Sequence, residues 1–253
     1  MIPFRKKVPN DTGVMVDIIK VSKCYPPNVN ALTDVSLSVK RGEIVFLTGM
    51  SGAGKTTLLR LLSRIERPTK GLVEVAGYDL SKLSSTKMQK LRRNIGTAYQ
   101  DFKLLPDRTV AQNIAITMEV AYKRPIYIRR RVKKLLDILG LKDKYNTQAS
   151  ELSRGEQQRV TIARAVANEP ELILADEPTG NLDNETTGRV MELFRECNKK
   201  GATLIIATHD ESIYRRTKHR VMELYQGKQL VFDSQSGKRK LPSFVEEISF
   251  GDL

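Results

Sequence analysis

The chain has 253 residues and lacks the features that several classes of protein need. It contains no tryptophan, two cysteines and two histidines, and no apolar run reaches the 18 residues of a membrane-spanning helix. No apolar core follows its basic first residues, so we expect no secretory signal. Two cysteines, Cys24 and Cys197, do not suggest a disulfide framework. We expect them to be reduced thiols in a cytoplasmic protein.

Acidic residues are also scarce, because 29 Asp and Glu face 43 Lys and Arg, which gives a formal net charge of +14. This surplus predicts an anionic partner: nucleic acid, an anionic membrane surface or a phosphate-bearing ligand. Composition does not choose among the three. The basic runs at 5–7, 87–93 and 123–134 fit either solvated helix faces or attraction to an anionic cytoplasmic leaflet.

Three short apolar runs, at 44–49, 172–176 and 202–210, are rich in valine, isoleucine and leucine. This composition is typical of strands that are buried on both faces of a parallel sheet. A shorter strand is predicted at 95–99. Each of the three apolar runs is followed by a polar or glycine-bearing segment that could open a helix, so the pattern indicates an α/β fold.

Two amphipathic helices are predicted at 110–122 and 128–141, and Gly140 is a plausible helix stop. They lie between the strand predicted at 95–99 and the one at 172–176. We therefore expect a helical insertion over about 101–165 that separates two halves of the α/β core.

The most specific motif is GMSGAGKT, which fits the P-loop pattern G-x-x-x-x-G-K-[ST] between a predicted strand and a predicted helix. Its glycines let the backbone N–H groups approach phosphate oxygens, and the helix start adds the positive end of its dipole. Lys55 is expected to reach the β- and γ-phosphates, and Thr56 to offer its hydroxyl to Mg²⁺. The residues predicted to surround the phosphates are Gly49, Met50, Ser51, Gly52, Ala53, Gly54, Lys55, Thr56 and Thr57.

A second motif is LILADEPTGNLD, in which an apolar strand ends at Asp176 and Glu177. Carboxyl ends of parallel strands are where α/β sheets bind ligands. Asp176 suits Mg²⁺, partly through water, and Glu177 suits a base that orients the attacking water.

Three weaker signals complete the set. LSRGEQQRV opens a predicted helix at Ser153 and Gly155, which favours anion binding. Gln100 follows the strand predicted at 95–99, and His209 lies at the end of the run at 202–210. In this order along one chain, the motifs resemble those of the ATP-binding cassette (ABC) ATPases. The resemblance covers about residues 15–230.

That resemblance implies a P-loop NTPase fold with a RecA-like α/β core, an inserted helical subdomain and an antiparallel β subdomain. We expect one ABC ATPase domain at 14–231, a flexible N-terminal extension at 1–13 and a tail of unassigned role at 232–253. It also implies an ATPase that uses ATP and Mg²⁺, forms an ATP-bound homodimer and works with an integral membrane subunit. We therefore expect a cytoplasmic protein, peripheral on the cytoplasmic face of the membrane.

The same resemblance implies residue roles. Glu177, His209 and Gln100 would be catalytic, and Tyr25 would stack on adenine. Mg²⁺ would be held by Thr56, Gln100 and Asp176. The signature residues that would act on the partner's ATP are Ser153, Arg154, Gly155, Glu156 and Asp183.

Within the family, phrases such as FLTGMSGAGKT, IERPTKG and LRRNIG resemble the cell-division ATPases. The ATPases of lipoprotein-release and macrolide-export transporters share GEQQRV and DEPTGNLD and are the alternative. A nucleic-acid-acting ABC ATPase is a third reading, which the chain disfavours: Lys55 and Ser153 are 98 positions apart, too close for a long coiled coil. A scaffold ATPase with little turnover is a fourth.

Three residues depart from the family pattern. Arg154 stands where the signature has its first glycine, and because arginine lacks glycine's conformational freedom, the sequence does not decide the local backbone there. Ser153 and Gly155 are retained. Ala98 and Tyr99 precede Gln100 where the family has a bulky apolar residue and phenylalanine.

The segment after Gln100 contains Phe102, Leu104 and Leu105 among charged residues and turn formers. A small apolar patch on a loop can mark a docking site, and the resemblance places the membrane subunit here. The alternative is that the three side chains pack the helical insertion onto the core.

Overall fold

The structure is a computed structural model that describes residues 13–215, 217–233 and 238–240, with side chains for 13–215 and 217–230. The strands are β1 (Val14–Tyr25), β2 (Val29–Lys40), β3 (Ile44–Thr48), β4 (Lys70–Val75), β5 (Tyr78–Asp79), β6 (Ile95–Ala98), β7 (Leu172–Asp176), β8 (Thr203–Ala207), β9 (Arg220–Tyr225), β10 (Lys228–Asp233) and β11 (Lys238–Lys240). The helices are α1 (Lys55–Leu62), α2 (Ser85–Arg92), α3 (Val110–Val120), α4 (Pro125–Ile138), α5 (Arg154–Ala167), α6 (Asn184–Lys199) and α7 (Glu211–Tyr214).

Several predictions fall on the remaining residues. The basic run at 5–7 lies outside the described residues. So does the N-terminal extension apart from Gly13, and the tail apart from the backbone at 232–233 and 238–240.

The strands form two sheets. The smaller is antiparallel, with the order β2-β1-β4-β5, and the larger has the order β11-β10-β9-β3-β8-β7-β6. In the larger sheet β9, β3, β8, β7 and β6 run parallel, whereas β10 and β11 are antiparallel additions. The predicted α/β fold is therefore present, together with the antiparallel β-sheet that the resemblance implied.

The central strands β3, β7 and β8 are buried along their whole length, as their continuous apolar sequences predict. Their side chains alternate between two cores. In β3, Ile44 and Phe46 belong to a core shared with α3 to α6, whereas Val45 and Leu47 belong to one shared with α1 and the antiparallel sheet. The large sheet is thus the middle layer, with one apolar core on each of its faces. Separating the sheet from the helices on one face, or from α1 and the antiparallel sheet on the other, would expose apolar surface.

Helices α3, α4 and α5 lie between β6 and β7 in the sequence and pack on one another. Helix α4 begins at Pro125, three residues before the predicted start, because proline at the first helical position already has a helical φ. Gly140 follows the end of α4 with φ 64°, the conformation of a glycine helix stop. No helix among the described residues is both long and apolar enough to cross a membrane.

Candidate active site

Three parallel strands bring the predicted motifs to one edge of the large sheet. Strand β8 pairs with β3 on one side and with β7 on the other. Because the strands are parallel, the P-loop after β3, Asp176 at the end of β7 and His209 after β8 share one edge. The edge brings the P-loop together with two segments that lie more than 100 residues later in the sequence.

The P-loop is held by close contacts that exclude side chains at two glycines. A Cβ on Gly49, which has φ 138°, would lie 2.2 Å from the carbonyl oxygen of Leu224. A Cβ on Gly54, with φ 104°, would lie 2.5 Å from the carbonyl oxygen of Ala31. Gly54 caps α1, so the loop passes directly into a helix whose first N–H groups have no helical partner.

At the tip of this loop Met50, Ser51 and Gly52 are exposed, whereas Ala53 is buried. Thr57 is half-buried in the first turn of α1. The predicted phosphate-binding residues therefore form one continuous turn that presents backbone to solvent, which is the geometry an anion-binding loop requires.

Lys55 is buried and is held from three sides. Its Nζ donates to the carbonyl oxygens of Gly49 at 2.6 Å and Met50 at 3.2 Å, and it lies 3.6 Å from a carboxylate oxygen of Glu177. The ammonium group is therefore positioned between the P-loop backbone and the predicted base.

Glu177 has a left-handed backbone conformation, with φ 47°. Non-glycine residues in this region carry a strain of about 1–3 kcal/mol and keep it only where the surroundings enforce it. Its N–H donates to the carbonyl oxygen of Ala207 at 2.9 Å, and its Oε1 lies 2.8 Å from Nδ1 of His209. The conformation directs the carboxylate toward both Lys55 and His209.

Asp176 is 2% exposed, and the hydroxyl of Thr56 donates a hydrogen bond to it. Burial raises the pKa of this carboxyl group, and the neighbouring Glu177 adds to the rise. Its Oδ1 is buried without a hydrogen-bond partner. An unpaired carboxylate oxygen beside a hydroxyl suits Mg²⁺, which prefers oxygen ligands and retains several waters.

Two of the predicted residues, Gln100 and Tyr25, form no hydrogen bond with Lys55, Asp176, Glu177 or His209 in the structure. Gln100 follows β6, the neighbour of β7, and its side chain is exposed and forms no hydrogen bond with any described residue. Tyr25 ends β1, and the Lys23 ammonium lies 4.6 Å from the centre of its ring. The adjoining strand β2 contacts the P-loop where Ala31 meets Gly54.

The signature segment forms the start of α5. Ser153 and Glu156 make a reciprocal capping box, and Lys144 lies 3.2 Å from the Glu156 carboxylate. Burial opposes ionisation of Glu156, but hydrogen bonds from Ser153 and Lys144 outweigh it and lower the pKa. Arg154 lies exposed in the first helical turn without a positive φ, so the backbone that the sequence left open here is an ordinary helix start, which arginine can adopt.

Asp183 caps α6 by accepting from the N–H of Thr186. Neither Ser153 nor Asp183 forms a hydrogen bond with a P-loop residue among the described residues. The structure therefore divides the predicted site residues between the sheet edge and two exposed helix starts.

Sequence reasoning missed Gln158, which is 1% exposed in α5. Its Nε2 donates to the carbonyl oxygen of Glu177 at 3.0 Å, and its Oε1 accepts from Asn181 at 3.2 Å. The only signal in the sequence is that this glutamine falls on the apolar face of α5.

The three apolar residues after Gln100 separate in the structure. Leu104 packs against the helical core, whereas Leu105 is 41% exposed and lines a groove of about 540 Å³. Ile116, Val120, Tyr99 and four cations also line this groove. Those cations are Arg92, Arg93, Lys103 and Arg164.

Comparison with known proteins identifies the family. The family model described as ABC transporter matches residues 32–180, which is more than half of the chain. The chain belongs to the ABC transporter family. The predicted P-loop fold is thereby confirmed, and so is the expectation that the chain is an ATPase.

The curated relatives include cell division ATP-binding protein FtsE from two species. That of Escherichia coli K12 is 46% identical over 213 residues, covering 84% of this chain and 96% of the relative. That of Bacillus subtilis is 42% identical over 213 residues, covering 84% and 93%. These similarities confirm the predicted resemblance to the cell-division branch of the family.

A solved relative has the same fold. The ATP-binding cassette MJ0796, determined as a dimer in a post-hydrolysis state with bound ADP and Pi, is 35% identical with a TM-score of 0.79. The match covers 84% of this chain and 95% of that one.

The buried carboxylate of Asp176, with one oxygen that has no hydrogen-bond partner, predicts a stability cost that depends on pH. Because the native pKa is raised, the cost is full when the pH is above the native pKa and disappears as the pH falls toward the unfolded value. Asp176→Asn keeps an acceptor for Thr56 and removes the charge. We expect the nucleotide-free variant to melt about 2–4 °C higher than wild type at pH 8, for a gain of about 1 kcal/mol.

Melting curves at pH 8 and at about pH 4, close to the ordinary aspartate pKa of about 3.9, provide the check, since the gain must shrink as the pH approaches the unfolded value. An equal gain at both values, or a loss of stability at pH 8, would contradict a cost due to ionisation of Asp176.

Proposed function

We propose that this chain is the ATP-hydrolysing subunit of a membrane-associated complex that acts in cell division. It works as an ATP-bound homodimer docked on an FtsX-like membrane subunit. The observation that carries the catalytic part is the contact of Glu177 with both Lys55 and His209 at the edge of the sheet. The names of the relatives support the cellular role.

Nucleotide binding uses the P-loop and its surroundings. The backbone N–H groups of the loop and the ammonium of Lys55 bind the β- and γ-phosphates, and Tyr25 stacks on the adenine. Thr56, Asp176 and Gln100 are the residues that would hold Mg²⁺. When bound, Mg²⁺ neutralises phosphate charge during the transfer.

Hydrolysis uses Glu177 as the base that orients and polarises the attacking water. Its carboxylate is held by the exposed ring of His209, whose Nδ1 lies 2.8 Å from Oε1. In phosphoryl transfer the protein itself has little covalent chemistry to perform, so this geometry contributes by positioning the reacting groups and by electrostatic stabilisation.

The second half of each site comes from the partner protomer. Ser153, Gly155 and Asp183 lie at exposed helix starts whose N–H groups favour phosphate. Arg154 adds a positive charge beside them. The dimeric state of the solved relative supports this arrangement.

The groove beside Tyr99 is the proposed docking surface for the membrane subunit. Its wall combines the exposed part of Leu105 with Val120, and its cations would receive an acidic segment. The nearby residues Tyr122 and Ile126 are also exposed, at the start of the basic run 123–134. Exposed aromatic and basic residues together suit the surface of an anionic leaflet, which supports a peripheral position on the cytoplasmic face.

Removing the base should separate binding from hydrolysis. Glu177→Gln keeps the side-chain shape and loses its basicity, so we expect ATP affinity within a few-fold of wild type and kcat lower by at least about 100-fold. Lys55→Ala removes the buried cation of the loop and should abolish tight ATP binding. Fluorescent-nucleotide titration and phosphate release give the two readouts, and near-normal turnover by Glu177→Gln would rule out Glu177 as the base.

The homodimer should form only when ATP stays bound. We expect Glu177→Gln with Mg-ATP to sediment as a dimer, because each nucleotide is held by two protomers and is not hydrolysed. The same protein with ADP, and Lys55→Ala with Mg-ATP, should remain monomeric. A monomer in every nucleotide state, with wild-type hydrolysis intact, would refute the shared site.

Docking is tested with Leu105→Asp and Val120→Asp together, since both side chains are exposed in the groove. We expect a folded protein that binds ATP and no longer co-purifies with its membrane subunit. Ile65→Asp, which introduces a charge at another exposed apolar position, is the matched control and should retain the subunit. Leu104→Asp should instead destabilise the fold, because Leu104 packs against the core. Retention of the subunit by the double variant would place the docking surface elsewhere.

A further inference from the structure

The main chain of Glu177 is held on both sides by hydrogen bonds. Its N–H belongs to the peptide plane before the residue and donates to Ala207 at 2.9 Å. Its carbonyl belongs to the plane after the residue and accepts from the buried Gln158 side chain at 3.0 Å. Because φ and ψ are the two rotations between these planes, the pair of hydrogen bonds fixes the backbone of Glu177.

This backbone conformation opposes local preference. Glu177 has φ 47°, which is uncommon for a residue with a side chain. The next residue is Pro178, and residues before proline favour extended conformations. An extended Glu177 would direct its carboxylate away from its present contacts, so something outside the residue must hold it in place.

Gln158 is suited to this task. Its amide uses both ends, because Asn181 donates to Oε1 while Nε2 donates to the Glu177 carbonyl. Apart from Gln158, the Glu177 carbonyl accepts only from the N–H of Gly180, at 3.4 Å among the described residues. Without the amide of Gln158, this carbonyl would keep one long hydrogen bond.

We propose that Gln158 is a positioning residue for ATP hydrolysis, which keeps Glu177 in the left-handed conformation that directs its carboxylate to Lys55 and His209. The inference rests on the proposed role of Glu177 as the base. Under this proposal α5, whose first residues act on the partner's ATP, also positions Glu177 in its own protomer.

The test is Gln158→Met in the full chain, a change of similar volume that removes both hydrogen bonds. We expect kcat to fall by about tenfold or more, which corresponds to about 1.4 kcal/mol, while KM for ATP stays within about twofold. Gln157→Met is the matched control. It lies on the same helix and loses one hydrogen bond, to the Ala149 carbonyl, so its kcat should stay within about twofold of wild type.

A double-mutant cycle separates positioning from general loss of structure. In a Glu177→Gln background the base is already absent, so adding Gln158→Met should change the residual rate by less than about twofold. An equal fall in both backgrounds, or no fall in either, would overturn the proposal. If Gln158→Met does not fold, Gln158→Asn shortens the side chain by one methylene and should show the same dependence on Glu177.

The two hypotheses fail in different ways. If Glu177→Gln alone turns over normally, the proposed base is wrong. If Glu177→Gln is slow but Gln158→Met is as fast as wild type, only the positioning role of Gln158 is wrong.

Discussion

The site at the edge of the large sheet depends on one largely buried pair of opposite charges, Lys55 and Glu177. Lys55 and Glu177 have side chains that are 8% and 13% exposed, and their charged atoms are 3.6 Å apart. Removing such groups from water is costly unless each is paired and hydrogen-bonded. Lys55 has two backbone carbonyls and Glu177 has His209, so each charge has several partners. A phosphate that enters the P-loop therefore meets a Lys55 ammonium that is already positioned, and it competes with Glu177 and the two carbonyls for that ammonium.

The parallel sheet makes this arrangement possible. Strands β3, β7 and β8 are buried on both faces, so their positions are fixed by two separate cores. The rigid strands hold the residues at their carboxyl ends in place: Asp176 ends β7, Glu177 follows it, and His209 lies two residues after β8. The strain at Glu177 and the unpaired oxygen of Asp176 are found at these strand ends. Stability is given up where the chemistry takes place, which is a common pattern at functional sites.

Much of this could be predicted from the sequence, because the decisive signals are local. Continuous apolar runs located the central strands, and the GMSGAGKT spacing located the phosphate loop. The antiparallel sheet that contains the long strands β1 and β2 was expected only from the family resemblance. The pairing of β1 with β2 has several register shifts, which interrupt the regular alternation of buried and exposed residues. The start of helix α4 at Pro125 has a local cause, the helical φ of proline at the first helical position, but the predicted boundary lay three residues later. The partial burial of Leu104 depends on tertiary packing. The backbone at Arg154 could not be decided from the sequence, and the structure shows a helical φ there that does not require glycine.

The contacts around Gln158 could not be read from the sequence, and they change how the signature helix is understood. Helix α5 begins at Ser153 and Gly155, which face the partner's nucleotide in the proposed dimer. One turn later the same helix holds the carbonyl of Glu177 in its own site. A Cβ on Gly155 would lie 3.0 Å from the carbonyl oxygen of Asn181, so the helix start also rests on the loop that follows Glu177. A rigid helix with contacts at both sites provides a short physical route between them. The helix can transmit a signal only if it occupies two alternative placements and the partner's nucleotide binds one of them more tightly. If the nucleotide bound both placements equally, the position of Glu177 would not change.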